Sequence, residues 1–319
     1  MSAALAWVVG RSGLLGSHLE AALRVAGHEV WTEAPQFLWA SPDDVARQFE
    51  TALSDFSERA KTRTGWMIFW AAGAGVIGTT ADQFQQERRT FRDFLELLER
   101  TPEGPGVIFF ASSAGGVYAG CQDGVVTESS PCKPISLYGE NKVAQEDMLV
   151  RFARAKGLPC LVGRIANIYG PGQNMAKPQG LISQLVRSVI HNTPFHVYVP
   201  LDTIRDFLFV ADCARSIVDA TNLVRERPCT DVTKIFASGE STPLSKVIRT
   251  VAMVARRQPK IVSACDTRRK LQPHTLLFQS LALPDLPQLP RTGILVGIAQ
   301  VYHYQLEQYC AGRPLRATP

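Results

Sequence analysis

The first thirty residues constrain the fold more than any other stretch. Ala3 to Val9 is a short, unbroken apolar run, the signature of a strand buried on both faces of a parallel sheet. Gly10-Arg11-Ser12-Gly13-Leu14-Leu15-Gly16 follows at once, and Leu15, Leu19, Ala22, Leu23 and Ala26 then recur at helical spacing. The order is strand, glycine turn, helix. Glycines let a backbone turn tightly and approach a ligand, and the N–H groups opening the helix favour an anion such as a pyrophosphate. Such a turn alone also suits plain helix–strand packing, and its position after the first strand is what gives it weight.

The segments that follow keep the same rhythm. Glu29 to Thr32 is a second strand after Gly27, as a βαβ unit requires. Dinucleotide folds that select an unphosphorylated ribose place Asp or Glu at the end of this strand. Glu33 is the candidate, one position before the expected place, where Ala34 stands. Arg11 in the glycine turn is the alternative, as a partner for a ribose 2′-phosphate, so NAD and NADP both stay open with a tilt toward NADP.

Ser41-Pro42-Asp43-Asp44 has the N-cap, first-turn proline and acids of a helix start. Trp66 to Trp70 is the next buried strand, closed by Ala71-Ala72-Gly73, small residues that let a cofactor lie against the backbone or simply pack tightly. Phe84, Phe91, Phe94, Leu95 and Leu98 give Asp82 to Arg100 an amphipathic helical pattern. Val107 to Phe110 is a central strand delivering Ser112 and Ser113, and Leu161 to Arg164 is another. This alternation predicts an α/β fold with an open, doubly wound parallel sheet. Ligands in such sheets sit beyond the carboxyl ends of the strands, where Gly10, Ala71, Ser113 and Asn167 fall.

A second motif lies downstream. Tyr138 and Lys142 stand one turn apart on one face of a helical pattern. An ammonium held near a phenol, both close to a cationic nicotinamide ring, favours the phenolate, which can exchange a proton with an alcohol as a hydride leaves or arrives. Taken alone, Tyr-x-x-x-Lys is a common solvated helix pair.

Composition narrows the classes. A chain of 319 residues, 45% hydrophobic and 20% charged, has the makings of one large or two moderate folded domains. The formal charge of +5 comes from dispersed Lys and Arg, so no nucleic-acid footprint is expected. Seven scattered cysteines without CxxC and six histidines without HExxH point to reduced thiols, a cytoplasmic location and no metal site. The first apolar run lacks a basic lead and breaks at Gly10-Arg11, so no signal peptide is expected. The longest uncharged stretch, 104–122, has the Gly, Ser and Pro content of a strand and loop, and no membrane partner is expected.

GRSGLLG, WAAG, SSAGGVY, YGENK, RIANIYGPGQ and RDFLFVADCA, in that order, resemble the extended short-chain dehydrogenase/reductase family, and within it the nucleotide-sugar epimerases, dehydratases and ketoreductases. The matches span roughly residues 3 to 240. The resemblance implies a Rossmann-type sheet with a smaller C-terminal α/β substrate domain. The dinucleotide-binding domain would be 1–170 plus about 206–237, and the substrate domain about 171–205 and 238–319. Arg205 to Ala220 would return as a helix and Ile235 to Ala237 as an edge strand.

The same resemblance assigns roles. Gly10 to Gly16, Glu33, Ala71, Ala72 and Gly73 would hold the cofactor, together with Tyr138 and Lys142. Tyr138 would be the catalytic acid/base, Lys142 the residue on the nicotinamide ribose, and Ser113 the hydroxyl on the reacting oxygen. Ser112 is its reserve, and Ala114 occupies the position where many sugar epimerases carry that serine. Ser112, Ala114, Asn167 and Arg205 would face the substrate, Asn167 and Arg205 toward its diphosphate, with Arg268 and Arg269 available to the same anion.

The reaction implied is oxidation or reduction at C4 of a nucleotide-activated hexose, as an epimerase or a ketoreductase. Ser113-Ala114-Gly115 stands where family dehydratases show Thr-Asp-Glu, so dehydration is not expected. A homodimer is expected through the helices at Asp82 to Arg100 and Leu137 to Ala155, although the phenylalanine face of the first suits an internal core equally. The alternatives are an NADPH-dependent reductase of a non-sugar carbonyl and a non-catalytic dinucleotide sensor.

Overall fold

The computed structural model describes residues 3–73, 75, 79–99, 104–121, 124–177, 179–227, 229–263, 274–287 and 291–312. The chain opens with β1 (Leu5–Val9), α1 (Leu14–Val25), β2 (Glu29–Trp31), α2 (Pro42–Ala60), β3 (Trp66–Trp70) and α3 (Ala81–Leu98). It continues through β4 (Gly106–Ser113), the short α4 (Ala114–Val117), β5 (Val125–Val126), α5 (Leu137–Lys156) and β6 (Cys160–Ile165). Next come β7 (Asn167–Tyr169), α6 (Leu181–Ile190), β8 (Phe195–Val197), β9 (Ile204–Arg205), β10 (Phe207–Phe209), α7 (Val210–Arg225) and β11 (Asp231–Phe236). The described chain closes with β12 (Thr242–Pro243), α8 (Leu244–Ala255), β13 (Ile261–Ser263), β14 (Leu277–Phe278) and α9 (Ile294–Cys310).

Six strands form one parallel sheet in the order β11-β6-β4-β3-β1-β2. Strand order reverses beside β1, which pairs with β2 on one edge and β3 on the other, and a crevice opens at such a reversal. Every residue of β1, β3 and β6 is buried, because helices cover both faces. Successive side chains alternate between two cores. Ala6, Val8, Met67 and Phe69 meet α1 and α7, whereas Leu5, Trp7, Ile68 and Trp70 meet α2, α3 and α5.

The second core is unusually aromatic. Trp7, Trp70, Phe49, Phe56, Phe91 and Phe94 touch edge-on or tilted, with ring centroids between 4.8 and 5.8 Å apart for the contacts of Trp70 with Phe49, Phe91 and Phe94. Phe84, Phe91 and Phe94 of α3 are buried, so the phenylalanine face is core and is unavailable as a dimer surface. A third cluster joins α6, α8 and α9 to Tyr169 and Phe209. Among the described residues, no helix is long and apolar enough to cross a membrane.

One expected helix starts later than its sequence suggests. Arg205 to Phe209 is extended, because Phe207 to Phe209 pairs with Asn167 to Tyr169 and Arg205 pairs with Thr242, and the helix begins at Val210. The expected edge strand at 235–237 is the end of β11, whose pairing with β6 runs from Asp231 to Phe236.

At the opposite end of the sheet, His28 is buried and its Nδ1 accepts the Ala4 N–H at 3.2 Å, so the neutral Nε2–H tautomer is the one that fits. Burial, then the Arg225 charge, hold its pKa below the ordinary 6.5. The folded state therefore binds fewer protons than the unfolded chain, and stability is complete above that ordinary value and falls as pH drops through and below it. We expect Tm to fall between about pH 7.5 and about pH 5.5 more steeply for the wild type than for His28→Asn, whose amide oxygen keeps an acceptor toward Ala4. Parallel slopes in thermal melts would remove His28 as the cause.

Candidate active site

The glycine turn closes against the next strand. Gly10 has φ +91°, and a Cβ there would lie 2.6 Å from the Ala72 nitrogen, so only glycine lets β1 leave the sheet beside β3. A Cβ on Gly16 would strike the Gly10 carbonyl oxygen. Gly13 caps α1 without a side chain, and no acid sits in the first turn, so the helix start presents its N–H groups to the crevice. This cradle fits the pyrophosphate of a dinucleotide.

The end of β2 departs from expectation. Both Glu33 oxygens accept from Arg59 NH1, at 2.6 and 2.7 Å, and this draws the carboxylate, 65% exposed, away from the crevice and over α2. Glu33 therefore does not line the site. Arg11 does, but its guanidinium donates to the Thr32 carbonyl at 2.8 Å and pairs with Glu20 at 2.9 Å. With its charge compensated in this way, Arg11 gives no support to the tilt toward NADP.

Ser113, Tyr138 and Lys142, the residues expected to carry proton transfer, are placed by α4 and α5. A Cβ on Gly139 would strike the Gly116 carbonyl oxygen, and one on Gly116 would lie 2.9 Å from Tyr138 Cε1, so two glycines seat the tyrosine ring on α4. Ser113 caps α4, its Oγ accepting the Gly116 N–H at 3.1 Å. Ser136 caps α5, accepting the Gly139 N–H at 3.2 Å. Lys142 donates from Nζ to the Ala111 carbonyl at 3.2 Å and lies 5.0 Å above the Phe110 ring. A Cβ on Gly73 would lie 3.6 Å from that ammonium.

The two serines of β4 part ways, as alternation on a strand requires. Ser112 is buried and donates to Glu146, although its edge still borders the crevice. Ala114 is fully buried with Val117 and Tyr118 and does not line the crevice, because the α4 turn carries it inward. An expected substrate contact at Ala114 therefore has no surface to act through.

On the facing wall, Asn167 donates from Nδ2 to the Asp206 carbonyl at 3.1 Å. Arg205 donates from NH1 to the Ile204 and His274 carbonyls at 2.8 and 3.2 Å, and burial lowers its pKa without removing a guanidinium charge. Arg268 and Arg269 lie outside the described residues. One cleft of about 2240 Å³ is lined by Gly10 to Leu15, Ala71 to Gly73, Ser112, Ser113, Tyr138, Lys142, Asn167 and Arg205. Gly16, Glu33 and Ala114 are outside its lining. Among the described residues, no three His, Cys, Asp or Glu side chains are placed to hold a metal ion.

Sequence reasoning missed the support beneath this wall. Glu146, one turn beyond Lys142, accepts from Arg164 Nε at 3.1 and 3.2 Å and from NH2 at 2.7 Å. Arg164 NH1 also donates to the Tyr118 hydroxyl, and the guanidinium stacks 5.0 Å from that ring. An arginine inside the apolar run CLVGRI was the available signal, since a buried cation demands a partner. Glu87 is a second omission: it accepts Asn141 Nδ2 and the Gly75 N–H, both at 3.2 Å. Asp206 is a third, its buried carboxylate accepting the Ser238 and Gly239 N–H groups at 2.8 and 2.7 Å.

Removing one partner of the buried pair leaves the other charge stranded. Glu146→Leu is expected to cost about 3–5 kcal/mol in urea unfolding, and Glu146→Leu with Arg164→Met to recover a substantial part of that loss. A double variant less stable than the single one would contradict this account.

Residues 6–233 match the NAD dependent epimerase/dehydratase family. The dTDP-4-dehydro-6-deoxyglucose reductase of Escherichia coli is 30% identical over 144 residues, covering 45% of this chain and 44% of that protein. The dTDP-glucose 4,6-dehydratase of Neisseria gonorrhoeae is 30% identical over 138 residues, covering 43% and 38%. The matched stretch thus spans less than half the length of these curated relatives. The crystal structure of Thermus thermophilus UDP-glucose 4-epimerase in complex with NAD shares the fold, with a TM-score of 0.77 over 94% of this chain and 98% of that one at 21% identity. The family match runs from β1 into β11 and so reaches every strand of the parallel sheet: the chain belongs to the NAD-dependent epimerase/dehydratase family.

Proposed function

We propose that this protein is an NAD-dependent enzyme that moves a hydride at C4 of a nucleotide-activated hexose, acting as an epimerase or a ketoreductase. The observation that carries the reading is a single cleft in which the open first turn of α1 faces Tyr138, Lys142 and Ser113. Its volume of about 2240 Å³ exceeds the roughly 300–1,000 Å³ of a site for one drug-sized ligand, and so suits a dinucleotide and a nucleotide sugar together. Bound there, NAD supplies the site that accepts and returns the hydride.

Tyr138 takes the hydroxyl proton as the carbonyl forms and gives it back on reduction. Lys142, held by the Ala111 carbonyl, would donate to the nicotinamide ribose and place its ammonium near the phenol. Ser113 donates to the reacting oxygen. Arg205 and Asn167 receive the substrate diphosphate, for which forked guanidinium donors are suited. Residues about 171–205 and 238–319 form the substrate-binding unit in this reading, and Asn174, Gln184, Arg187 and Phe195 line the cleft from it.

NAD is favoured over NADP because Glu20 and the Thr32 carbonyl already engage Arg11. Expulsion of water is disfavoured because Ala114 is buried and Gly115 has no side chain. The carboxylates lining the cleft among the described residues, Glu20 and Glu87, are both already paired.

The test is incubation of the purified protein with UDP- and dTDP-hexoses, with and without added reduced cofactor. Epimer formation without cofactor consumption identifies an epimerase, and stoichiometric consumption identifies a ketoreductase. Tyr138→Phe is expected to lower turnover about 10²–10⁴-fold while nucleotide-sugar affinity stays unchanged. Turnover indifferent to that substitution would overturn the mechanism. If neither UDP nor dTDP raised thermal stability, a non-sugar carbonyl would become the substrate.

A further inference from the structure

The cleft has a nucleoside end beyond the glycine turn, where Arg11 bridges to Thr32 at the end of β2. An acid would be expected there to read ribose hydroxyls. Arg59 has taken the one available, Glu33, out of the cleft. What lines this end instead is the segment from Ala34 to Phe37, with Trp39, Ala40 and Trp70. The chain has five tryptophans, and Trp7, Trp31, Trp66 and Trp70 are each 3% exposed or less, whereas Trp39 is 44% exposed.

Trp39 is held in place. Its ring stands edge-on to Trp70 at 6.4 Å and to Phe49 at 6.0 Å, and Phe37 flanks it at 5.4 Å. The loop carrying it is clamped to α2 by Gln48, which accepts the Leu38 N–H at 2.9 Å and donates to the Gln36 carbonyl at 3.2 Å. The Ser41 N–H closes the turn on the Leu38 carbonyl at 2.8 Å. A braced, half-open indole in an aromatic-walled recess next to an anion cradle offers a flat ligand one ready face, with little ordering cost.

We propose that Trp39 is the stacking platform for the purine of the dinucleotide, so that this protein grips the cofactor's nucleoside end by its ring and not by a carboxylate on its ribose. The assignment rests on the dinucleotide reading of the cleft and adds to it the residue that replaces the missing acid. Base–aromatic stacking tolerates any π-face, so the grip depends on aromaticity at position 39 and is indifferent to Glu33.

Isothermal titration of the full chain with ADP-ribose, which carries the purine and both phosphates but no nicotinamide, tests this. Trp39→Leu, which keeps apolar bulk and loses the π-face, is expected to raise Kd about tenfold or more. Trp39→Phe should stay within about threefold of wild type, and Glu33→Ala within about twofold. Binding should quench indole emission in the wild type and not in Trp39→Phe. Wild-type affinity in Trp39→Leu, or loss of affinity in Glu33→Ala, would overturn the proposal and leave the enzymatic reading standing. Failure of wild type to bind ADP-ribose at all would overturn both.

Discussion

A parallel sheet buried on both faces leaves little backbone for a ligand except at the ends of its strands, and this protein is built on that restriction. Helices cover β1, β3 and β6 so that every residue is buried, and these runs reach the cleft only through a few residues toward their carboxyl ends, such as Val8, Trp70 and Ile165. Register then brings the strand ends together: Val9 pairs with Trp70 and Ser113 with Ile165. Just past three of those ends, Gly10, Ala71 and Ala166 border one cleft. The close seating of Gly10 on Ala72, and of Gly16 under Gly10, lets helix α1 point its first turn there.

Polar groups inside the fold serve the same geometry. The Glu146–Arg164 pair ties α5 to β6, Ser112 ties it to β4, and Tyr118 ties it to the end of α4. Desolvating two ions is costly, and the pair is tolerated because every oxygen and most of the guanidinium are engaged. On the far side, Glu128 accepts from the Ile235 and Leu281 N–H groups at 2.8 Å each, fastening a late segment of the chain to the last strand of the sheet. Asp206 does the same between β9 and the loop after β11. Tyr138 and Lys142 thus stand on a helix fixed on several sides.

Family membership does not settle the reaction. The relatives matched include a reductase, a dehydratase and an epimerase. Beside Ser113, this chain places a buried alanine and a glycine with no side chain. At the end of β2 the cleft is lined by Ala34 to Phe37 and Trp39, and Glu33 is not among its lining residues.

The order of strands and helices, the glycine turn, the Tyr138–Lys142 face and the apolar face of α3 follow from spacing along the chain, whereas its burial as core was left open by spacing and decided by packing. They were legible, or nearly so, because periodicity and glycine's backbone freedom are local properties. The destination of Glu33 was not legible, since its partner Arg59 lies a whole helix away. Nor was the partner of Ser112, since Glu146 arrives from α5. The extended start at Arg205 depends on pairing with β7 and β12, and local helical pattern said nothing of it. Sequence spacing decides which way a side chain leaves its own element; only the packed neighbours decide what it meets there, and the charges and rings of this cleft are matters of meeting.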